Sequence, residues 1–362
     1  MSLTFKVTRN ENPATQEERE DILANPGFGD NFTDHMVRIS WNPENGWHDA
    51  QVMPFGPITI SPAAGVLHYA QEIFEGMKAY RHADGSVWSF RPERNAQRLQ
   101  ASARRLALPE LPVELYLESV RQLLEIDKDW VPSGGESSLY LRPFMFGSEA
   151  FLGVRPSKQV EYYCIASPAD SYFKSGIKPL TVWASEKFSR AGAGGTGAAK
   201  CGGNYASSML GKAEAVENGA DEVMFLDSET RTFIDELSGM NVFVVRADGS
   251  LCTPALTGSI LEGVTRASIL KIGEELGLTP REERLNFKQV LADIESGDIL
   301  EMFACGTAAV VTPIGAFLTS EGKTVIGDGA QTEKTFAIRE RLLNIQYGRS
   351  ADEHGWMTKF VS

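Results

Sequence analysis

The chain carries the run Glu236-Leu237-Ser238-Gly239-Met240-Asn241-Val242-Phe243, followed by Leu251-Cys252-Thr253-Pro254 and then Leu261-Glu262-Gly263-Val264-Thr265-Arg266. The first run combines a carboxylate with an Asn-apolar-aromatic step, and residues 241–245 are predicted to form a strand. In the last run, Thr265 begins a helical pattern that continues through Ile269, Leu270, Ile272 and Leu276. A helix start offers backbone N–H groups and the positive end of the helix dipole, both of which favour an anion.

Upstream lies the glycine-rich run Arg190-Ala191-Gly192-Ala193-Gly194-Gly195-Thr196-Gly197-Ala198-Ala199-Lys200-Cys201-Gly202-Gly203-Asn204-Tyr205. Gly192, Gly194 and Gly197 match the dinucleotide-binding fingerprint, but that motif needs a helix that opens inside the glycines. Here the helical pattern is predicted to start only at Tyr205. A P-loop would need Gly-Lys-Ser/Thr, whereas this chain has Ala199-Lys200-Cys201. What remains is Lys200, the single lysine of the run.

From composition alone, Lys200 has two interpretations. It is either an ordinary solvated lysine in a flexible surface loop or a Schiff-base lysine. Glycines, which lack a Cβ, let the chain approach a flat aldehyde cofactor closely. Crowding and neighbouring positive charge would lower the lysine pKa and free the amine. A pyridoxal phosphate site would also need a carboxylate at the pyridine nitrogen, a phosphate grip, a donor to O3′ and anchors for the substrate carboxylate.

Composition restricts the class of protein. The 362 residues exceed the usual size of one core, so two domains are expected. The net charge of -13 argues against nonspecific binding to nucleic acid or anionic membranes. We expect no membrane helix and no signal peptide, because no apolar run approaches the needed length and the N-terminus is polar. Four cysteines without paired short spacing predict reduced thiols and a cytoplasmic protein, and the scattered histidines predict no metal site.

Periodicity predicts an α+β fold with two domains. Residues 1–34 are predicted as a polar, loosely structured lead-in, and 35–170 as a small, antiparallel-rich domain with helices at 92–106 and 112–129. Residues 171–178 are predicted as a linker. Residues 179–362 are predicted as a larger mixed α/β domain that carries Lys200, with helices at 205–218, 265–276, 287–296 and 332–346.

The three runs around Glu236 resemble the signature of class-IV pyridoxal-phosphate aminotransferases, which have fold type IV. Further motifs resemble the branched-chain amino acid aminotransferases within that class. These are Phe74-Glu75-Gly76-Met77-Lys78-Ala79-Tyr80, Phe90-Arg91-Pro92, Leu139-Tyr140-Leu141-Arg142-Pro143, the end of the glycine-rich run, Gly306-Thr307-Ala308 and Ile345-Gln346-Tyr347-Gly348. The resemblance covers nearly the whole chain after about residue 30.

The resemblance implies that pyridoxal 5′-phosphate is the cofactor and that Lys200 binds it covalently and then shuttles the reaction's proton. It implies Glu236 at the pyridine nitrogen and Tyr205 as the donor to O3′. The implied phosphate grip is Arg98, Val264, Thr265 and Thr307. Ordinary alternatives remain at this stage: a surface acid for Glu236, a core aromatic for Tyr205 and a solvated basic face for Arg98.

The resemblance also implies a substrate site with aromatic walls made by Tyr69, Phe74, Tyr140 and Tyr172. Arg142, with Tyr140, would accept the distal carboxylate of glutamate, because an arginine fork matches a carboxylate. Backbone N–H groups near Gly239 and Ala308 would hold the α-carboxylate. A loop around Val154 would reach the partner subunit's site, which makes a homodimer the functional unit. Some relatives have threonine where Gly239 stands, so a hydroxyl contact is expected to be missing here.

The function implied by the resemblance is transamination of leucine, isoleucine and valine with 2-oxoglutarate, which yields 2-oxo acids and glutamate. A D-amino acid aminotransferase or an aminodeoxychorismate lyase is the alternative on the same fold. The motifs around Phe74 and Tyr140 favour the branched-chain enzyme. A nonenzymatic binding protein would require the loss of a residue such as Lys200, Glu236 or Arg98, and all of them are present.

Overall fold

The computed structural model describes residues 3–170, 177–329 and 332–362. The strands are β1 (Lys6–Val7), β2 (His35–Asn42), β3 (Gly46–Pro54), β4 (Glu72–Phe74), β5 (Met77–Arg81), β6 (Val87–Phe90), β7 (Ser138–Gly147), β8 (Val160–Ala169), β9 (Leu180–Ser185), β10 (Glu222–Leu226), β11 (Ile234–Leu237), β12 (Asn241–Arg246), β13 (Ser250–Pro254), β14 (Thr279–Glu283), β15 (Ile299–Gly306), β16 (Val310–Thr319), β17 (Gly322–Val325) and β18 (Met357–Val361). The helices are α1 (Gln16–Ala24), α2 (Gly65–Tyr69), α3 (Pro92–Arg105), α4 (Val113–Ile126), α5 (Gly202–Glu217), α6 (Val264–Glu275), α7 (Phe287–Ser296) and α8 (Glu333–Gln346). Within the described ranges, no helix is both long and apolar enough to cross a membrane.

The chain folds into two compact units. The first holds residues 3–170 together with Ala199–Gly202 and Leu343–Ser362, and the second holds residues 177–198 and most of Gly203–Leu342. Both added segments belong to residues 179–362, which are predicted to form the second domain. They join the first unit because Ala199 and Cys201 pack into its apolar core and because β18 pairs with β6. Most of the predicted linker at 171–178 lies outside the described residues.

The first unit is built on a nine-stranded sheet in the order β1-β3-β2-β8-β7-β5-β6-β18, with β4 beside β7. All of its pairings are antiparallel except β1 with β3. Apolar side chains from these strands and from α3 and α4 form its core. The registers set Phe74 opposite Phe144 and Lys78 opposite Tyr140, so the two predicted substrate motifs lie on neighbouring strands.

The predicted lead-in contains a helix that the sequence analysis did not predict. Helix α1 begins with a capping box. The Glu18 backbone N–H donates to the Thr15 hydroxyl, and the Thr15 backbone N–H donates to the Glu18 carboxylate. The reciprocal bonds satisfy two donors that a helix start otherwise leaves open. The helix buries no residue, which explains why a search for apolar periodicity misses it.

The second unit is built on a mixed nine-stranded sheet in the order β11-β10-β9-β16-β15-β12-β13-β14, with β17 beside β16. The pairs β9 with β10, β9 with β16 and β13 with β14 are parallel. Asn241 on β12 pairs with Cys305 on β15. This register brings the turn before β12 and the turn after β15 to the same end of the sheet.

The structure moves one predicted boundary that bears on function. Helix α5 starts at Gly202, three residues before the predicted start at Tyr205. The Gly202 N–H donates to the Glu72 carboxylate, which supplies from elsewhere in the fold the cap that the local sequence lacks. The helix still begins after Gly197, and residues 193–198 form turns. The dinucleotide-binding interpretation therefore remains excluded.

Candidate active site

The segment that carries Lys200 is fastened on both sides within the first unit. The Lys200 N–H donates to the Ser102 hydroxyl on α3 at 2.9 Å, and its carbonyl accepts the Phe74 N–H at 3.0 Å. The Lys200 Nζ lies 4.5 Å from the centroid of the Phe74 ring. The lysine is therefore held against β4 and α3, and the interpretation as a flexible, solvated loop residue is wrong.

The electrostatic surroundings of Lys200 favour a neutral amine. Removal from water, followed by the Arg98 cation, lowers its pKa from 10.5 to about 8, while Glu75 opposes the shift. A smaller contribution in the lowering direction comes from Arg142. Burial and neighbouring cations make the protonated form of the amine unfavourable, so a large share of the Nζ groups is uncharged near pH 8.

Glu75 and Arg98 form a buried ion pair beside this amine. Arg98 donates from Nε to Oε1 and from Nη2 to Oε2, both at 2.8 Å, and Asn95 donates to Oε2 at 2.8 Å. The Glu75 side chain is 0% exposed and that of Arg98 is 11% exposed. The solvated basic face considered for Arg98 is therefore wrong. The sequence motifs assign Glu75 no role, although an acid next to apolar strand residues indicates a buried partner.

Tyr140, Arg142 and Phe74 come together as the motifs predicted. Arg142 donates from Nη2 to the Tyr140 hydroxyl at 3.0 Å, and its guanidinium carbon lies 4.8 Å from the Phe74 ring centroid. Its Nε is buried and has no hydrogen-bond partner among the described residues. The rings of Phe74 and Tyr140 suit an aliphatic side chain. The Arg142 guanidinium, whose Nε donor is unused, suits a carboxylate.

The other predicted substrate residues of the first unit lie at or near its surface. Tyr69 is exposed and donates its hydroxyl to the Leu152 carbonyl. Val154, in the same loop as Leu152, is 86% exposed. Tyr172 lies outside the described residues. The predicted contact of the loop with a partner subunit remains a prediction, because a single chain cannot contain it.

Glu236 is held by three donors inside the second unit. Arg190 Nη1 lies 2.9 Å from its Oε1, the Leu261 N–H donates to the same oxygen at 2.9 Å, and Asn241 donates to Oε2 at 3.3 Å. The side chains of Glu236 and Arg190 are 3% and 2% exposed. The surface-acid alternative for Glu236 is therefore wrong. The sequence motifs assign Arg190 no role, although it is the only arginine of the glycine-rich run.

Tyr205 lies in the first turns of α5 and is half-buried. A Cβ placed on Gly239 would lie 3.7 Å from Tyr205 Cε1, which is an ordinary contact. A Cβ at position 239 would therefore overlap no described residue. The Arg190 guanidinium lies 5.9 Å from the Tyr205 ring centroid. Tyr205, Gly239, Glu236 and Arg190 thus form one neighbourhood.

The predicted phosphate residues of the second unit lie at a helix start and in a hairpin turn. Helix α6 begins at Val264, and no side chain caps it at Gly263. Thr265 is buried in its first turn. Thr307 and Ala308 lie in the turn between β15 and β16. A Cβ on the neighbouring Gly306 would lie 3.7 Å from the Gly239 carbonyl oxygen, so this turn adjoins the turn at Gly239.

Comparisons with known proteins agree with this picture. The sequence profile of the amino-transferase class IV family matches residues 72–317. The chain is 54% identical to a branched-chain-amino-acid aminotransferase of Mycolicibacterium smegmatis over 99% of this chain and 98% of that protein. It is 40% identical to a branched-chain-amino-acid transaminase of Bacillus subtilis over 97% and 98% of the two chains.

Solved structures give the same result. An Escherichia coli branched-chain amino acid aminotransferase superposes with a TM-score of 0.75 at 27% identity, over 90% of this chain and 99% of that one. A T.th. branched-chain amino acid aminotransferase complexed with N-(5′-phosphopyridoxyl)-L-glutamate gives 0.73 at 29% identity, over 89% and 98%. The predicted fold type and the family resemblance are confirmed.

Proposed function

The chain belongs to the amino-transferase class IV family, and from that premise we propose that it transaminates branched-chain L-amino acids with 2-oxoglutarate. The products are branched-chain 2-oxo acids and L-glutamate. The observation that carries the proposal is the amine of Lys200, which is enclosed by protein and has a pKa lowered to about 8. An amine of this kind can act as a nucleophile and a base near neutral pH.

The family uses pyridoxal 5′-phosphate, and the donor set of this chain fits that group. Lys200 offers a nucleophilic amine, and Glu236 offers a buried carboxylate with a cation beside it. The uncapped start of α6 offers backbone N–H groups that suit a phosphate. Arg98, Val264, Thr265 and Thr307 would hold the phosphate, and Tyr205 and Glu236 would hold the ring. When bound, the cofactor supplies an electron sink for charge that develops at the substrate Cα.

Lys200 moves the proton in this proposal. With a pKa of about 8, its Nζ can take a proton from the substrate Cα and return it without a large energetic penalty in either direction. The positive charges of Arg98 and Arg142 lower the pKa of the Lys200 amine, and the negative charge of Glu75 raises it. A phosphate held by Arg98 would share the guanidinium with Glu75, which already occupies its Nε and Nη2.

The substrate pocket must accept both an aliphatic chain and a carboxylate. Phe74 and Tyr140 supply apolar surface for leucine, isoleucine or valine, together with Tyr69 and Tyr172. Arg142 supplies the fork for the distal carboxylate of glutamate, and its buried Nε is a donor that such a carboxylate would satisfy. Backbone N–H groups near Gly239 and Ala308 would bind the α-carboxylate.

We further propose a homodimer in the cytoplasm. The loop of Leu152 and Val154 exposes apolar side chains, which a partner subunit would cover. All four cysteines are free and buried, as suits a reducing compartment.

A substrate panel tests the proposed function. The purified holoenzyme should transfer the amino group from L-leucine, L-isoleucine and L-valine to 2-oxoglutarate. Arg142→Gln should lose about 10- to 100-fold in kcat/KM for glutamate, the size expected for a charge-assisted hydrogen bond, and much less for leucine. Activity on D-alanine without activity on L-leucine would overturn the proposal.

A further inference from the structure

Arg190 is the cation nearest to Glu236 in the described part of the second unit, and it contacts more than that carboxylate. Its Nη1 lies 2.9 Å from Glu236 Oε1 and also donates to the carbonyls of Ser259 at 3.2 Å and Gly197 at 3.4 Å. The Arg190 carbonyl accepts the Ser207 hydroxyl from α5 at 2.6 Å. One guanidinium therefore links Glu236 to the glycine-rich run and to the loop ahead of α6.

Glu236 depends on this cation to remain charged while buried. A carboxylate enclosed by protein strongly prefers its neutral form unless a charge or several donors compensate the lost hydration. The Leu261 backbone N–H also donates to Glu236, and Asn241 donates to it over a longer distance. Asp235 and Cys305 lie nearby and supply no positive charge. Two further cations act on these groups, Arg284 on Asp235 and Arg266 on Cys305. Arg266 donates to the Pro254 carbonyl at 2.8 Å and to Glu282 at 2.6 Å, whereas Arg190 pairs directly with Glu236.

We propose that Arg190 is a positioning residue for transamination, which holds Glu236 as a carboxylate and fixes its orientation beside Tyr205. The inference rests on the proposed function, in which Glu236 faces the pyridine nitrogen of the cofactor. A charged Glu236 keeps that nitrogen protonated, and a neutral Glu236 does not. Arginine suits the role because its guanidinium stays charged at every accessible pH and can serve several acceptors at once. Removal of Arg190 would leave the charge of Glu236 buried without compensation, which strongly favours the neutral form of Glu236.

The same contacts connect Arg190 to the segment that leads to Lys200. Gly197 approaches the Ser259 backbone so closely that a Cβ would overlap it. Arg190 donates to the carbonyls of both residues and so holds this approach in place. Its guanidinium also lies 5.9 Å from the ring centroid of Tyr205. Loss of Arg190 is therefore expected to loosen both Glu236 and Tyr205, whereas a change in the protonation of Glu236 alone would leave Tyr205 in place.

The test uses holoenzyme loaded with cofactor that carries 15N in its ring, because the 15N shift reports the proton on that nitrogen directly. The proteins are wild type, Arg190→Gln, Arg190→Lys and the control Arg246→Gln. Arg246 forms a partly buried pair with Asp293 in the same unit at 2.7 Å, away from Glu236. In wild type and control the nitrogen should stay protonated from pH 6 to 9. In Arg190→Gln a smaller share of the nitrogen should be protonated throughout that range, because the proton passes to Glu236, and Arg190→Lys should lie between this variant and wild type.

The rate of the first half-reaction with L-leucine gives a second readout. It should fall by up to about 10²-fold in Arg190→Gln, as expected for misplaced catalytic groups, and should stay near the wild-type rate in Arg246→Gln. Ring-nitrogen protonation in Arg190→Gln that matches wild type at every pH would overturn the proposal. If that variant yields no folded holoenzyme, Arg190→Lys decides: a smaller protonated share of the ring nitrogen than in wild type supports the proposal, and no change overturns it. Failure of wild type itself to bind the cofactor would overturn the proposed function instead.

Discussion

Replacement of Lys200 by methionine should stabilise the cofactor-free protein at neutral pH. The lysine has a pKa of about 8 in the folded chain against 10.5 when solvated, so folding must either deprotonate it or bury its charge. Below pH 8 both folded and unfolded chains hold the proton, and the folded chain carries the full cost. The lowered pKa corresponds to about 3 kcal/mol, an upper figure because the residue remains partly accessible.

The pH dependence of this gain has a definite sign. Between pH 8 and 10.5 the unfolded chain binds more protons at this residue than the folded chain, so wild-type stability rises with pH in that range. Lys200→Met lacks this contribution. Its advantage in the free energy of unfolding should therefore be largest below pH 8, by up to about 3 kcal/mol, and should disappear towards pH 10.5. Methionine fits because it fills the stem of the lysine side chain without the charge.

The assay is urea unfolding of the cofactor-free protein at several values of pH, followed by tryptophan fluorescence. Five of the six tryptophans (Trp41, Trp47, Trp88, Trp130 and Trp356) lie in the first unit, which also holds Lys200. The control is Lys128→Met, which removes an exposed lysine from the same unit. Its stability difference from wild type should not change with pH. A Lys200→Met difference that is equally flat from pH 7 to 10.5 would refute the reasoning.

Three further predictions follow from the packing. Glu75→Gln should cost about 3–5 kcal/mol of stability because it leaves the Arg98 charge buried without its partner. Glu110→Gln, in the exposed pair with Arg104, should change the unfolding free energy by less than about 1 kcal/mol, and equal losses in the two variants would contradict the buried pair. Gly197→Ala should destabilise the protein by about 1–3 kcal/mol because the new Cβ overlaps the Ser259 backbone. Gly203→Ala is the control, since a Cβ there meets nothing within 4 Å, and it should shift the thermal midpoint little. A Gly197→Ala protein as stable as wild type would contradict this prediction. The four buried cysteines should resist a thiol reagent in the native protein and should all react in urea. Rapid labelling of the native protein would show that these thiols are accessible to solvent.

The sequence predicts elements best where one local signal is strong. Helix α7 occurs with the predicted bounds, and strand β12 begins at its predicted first residue, Asn241, because each has a clear local pattern and nearby turn residues. Helix α5 begins earlier than predicted because its start is bonded by Glu72, which lies far away in the chain. Strand β18 and the packing of Ala199–Gly202 with the first unit also depend on long-range contacts, which periodicity does not reveal.

For the site, the sequence supplied the residues but not their partners. The motifs named Lys200, Arg98, Arg142 and Glu236, and the structure gives the first of these a shifted pKa and the others buried contacts. The ion partners Glu75 and Arg190 were missed in their roles. A buried charge requires compensation, but which opposite charge supplies it depends on the fold, since Glu236 and Arg190 are 46 positions apart.

The most direct test of the central claim is to treat the holoenzyme with borohydride and to locate the attached cofactor by peptide mass. Reduction should fix the pyridoxyl group on the peptide that contains Lys200, and prior addition of L-leucine without an amino acceptor should prevent this labelling. Attachment to another lysine, or labelling of Lys200 that L-leucine does not affect, would contradict the assignment of Lys200 as the catalytic amine.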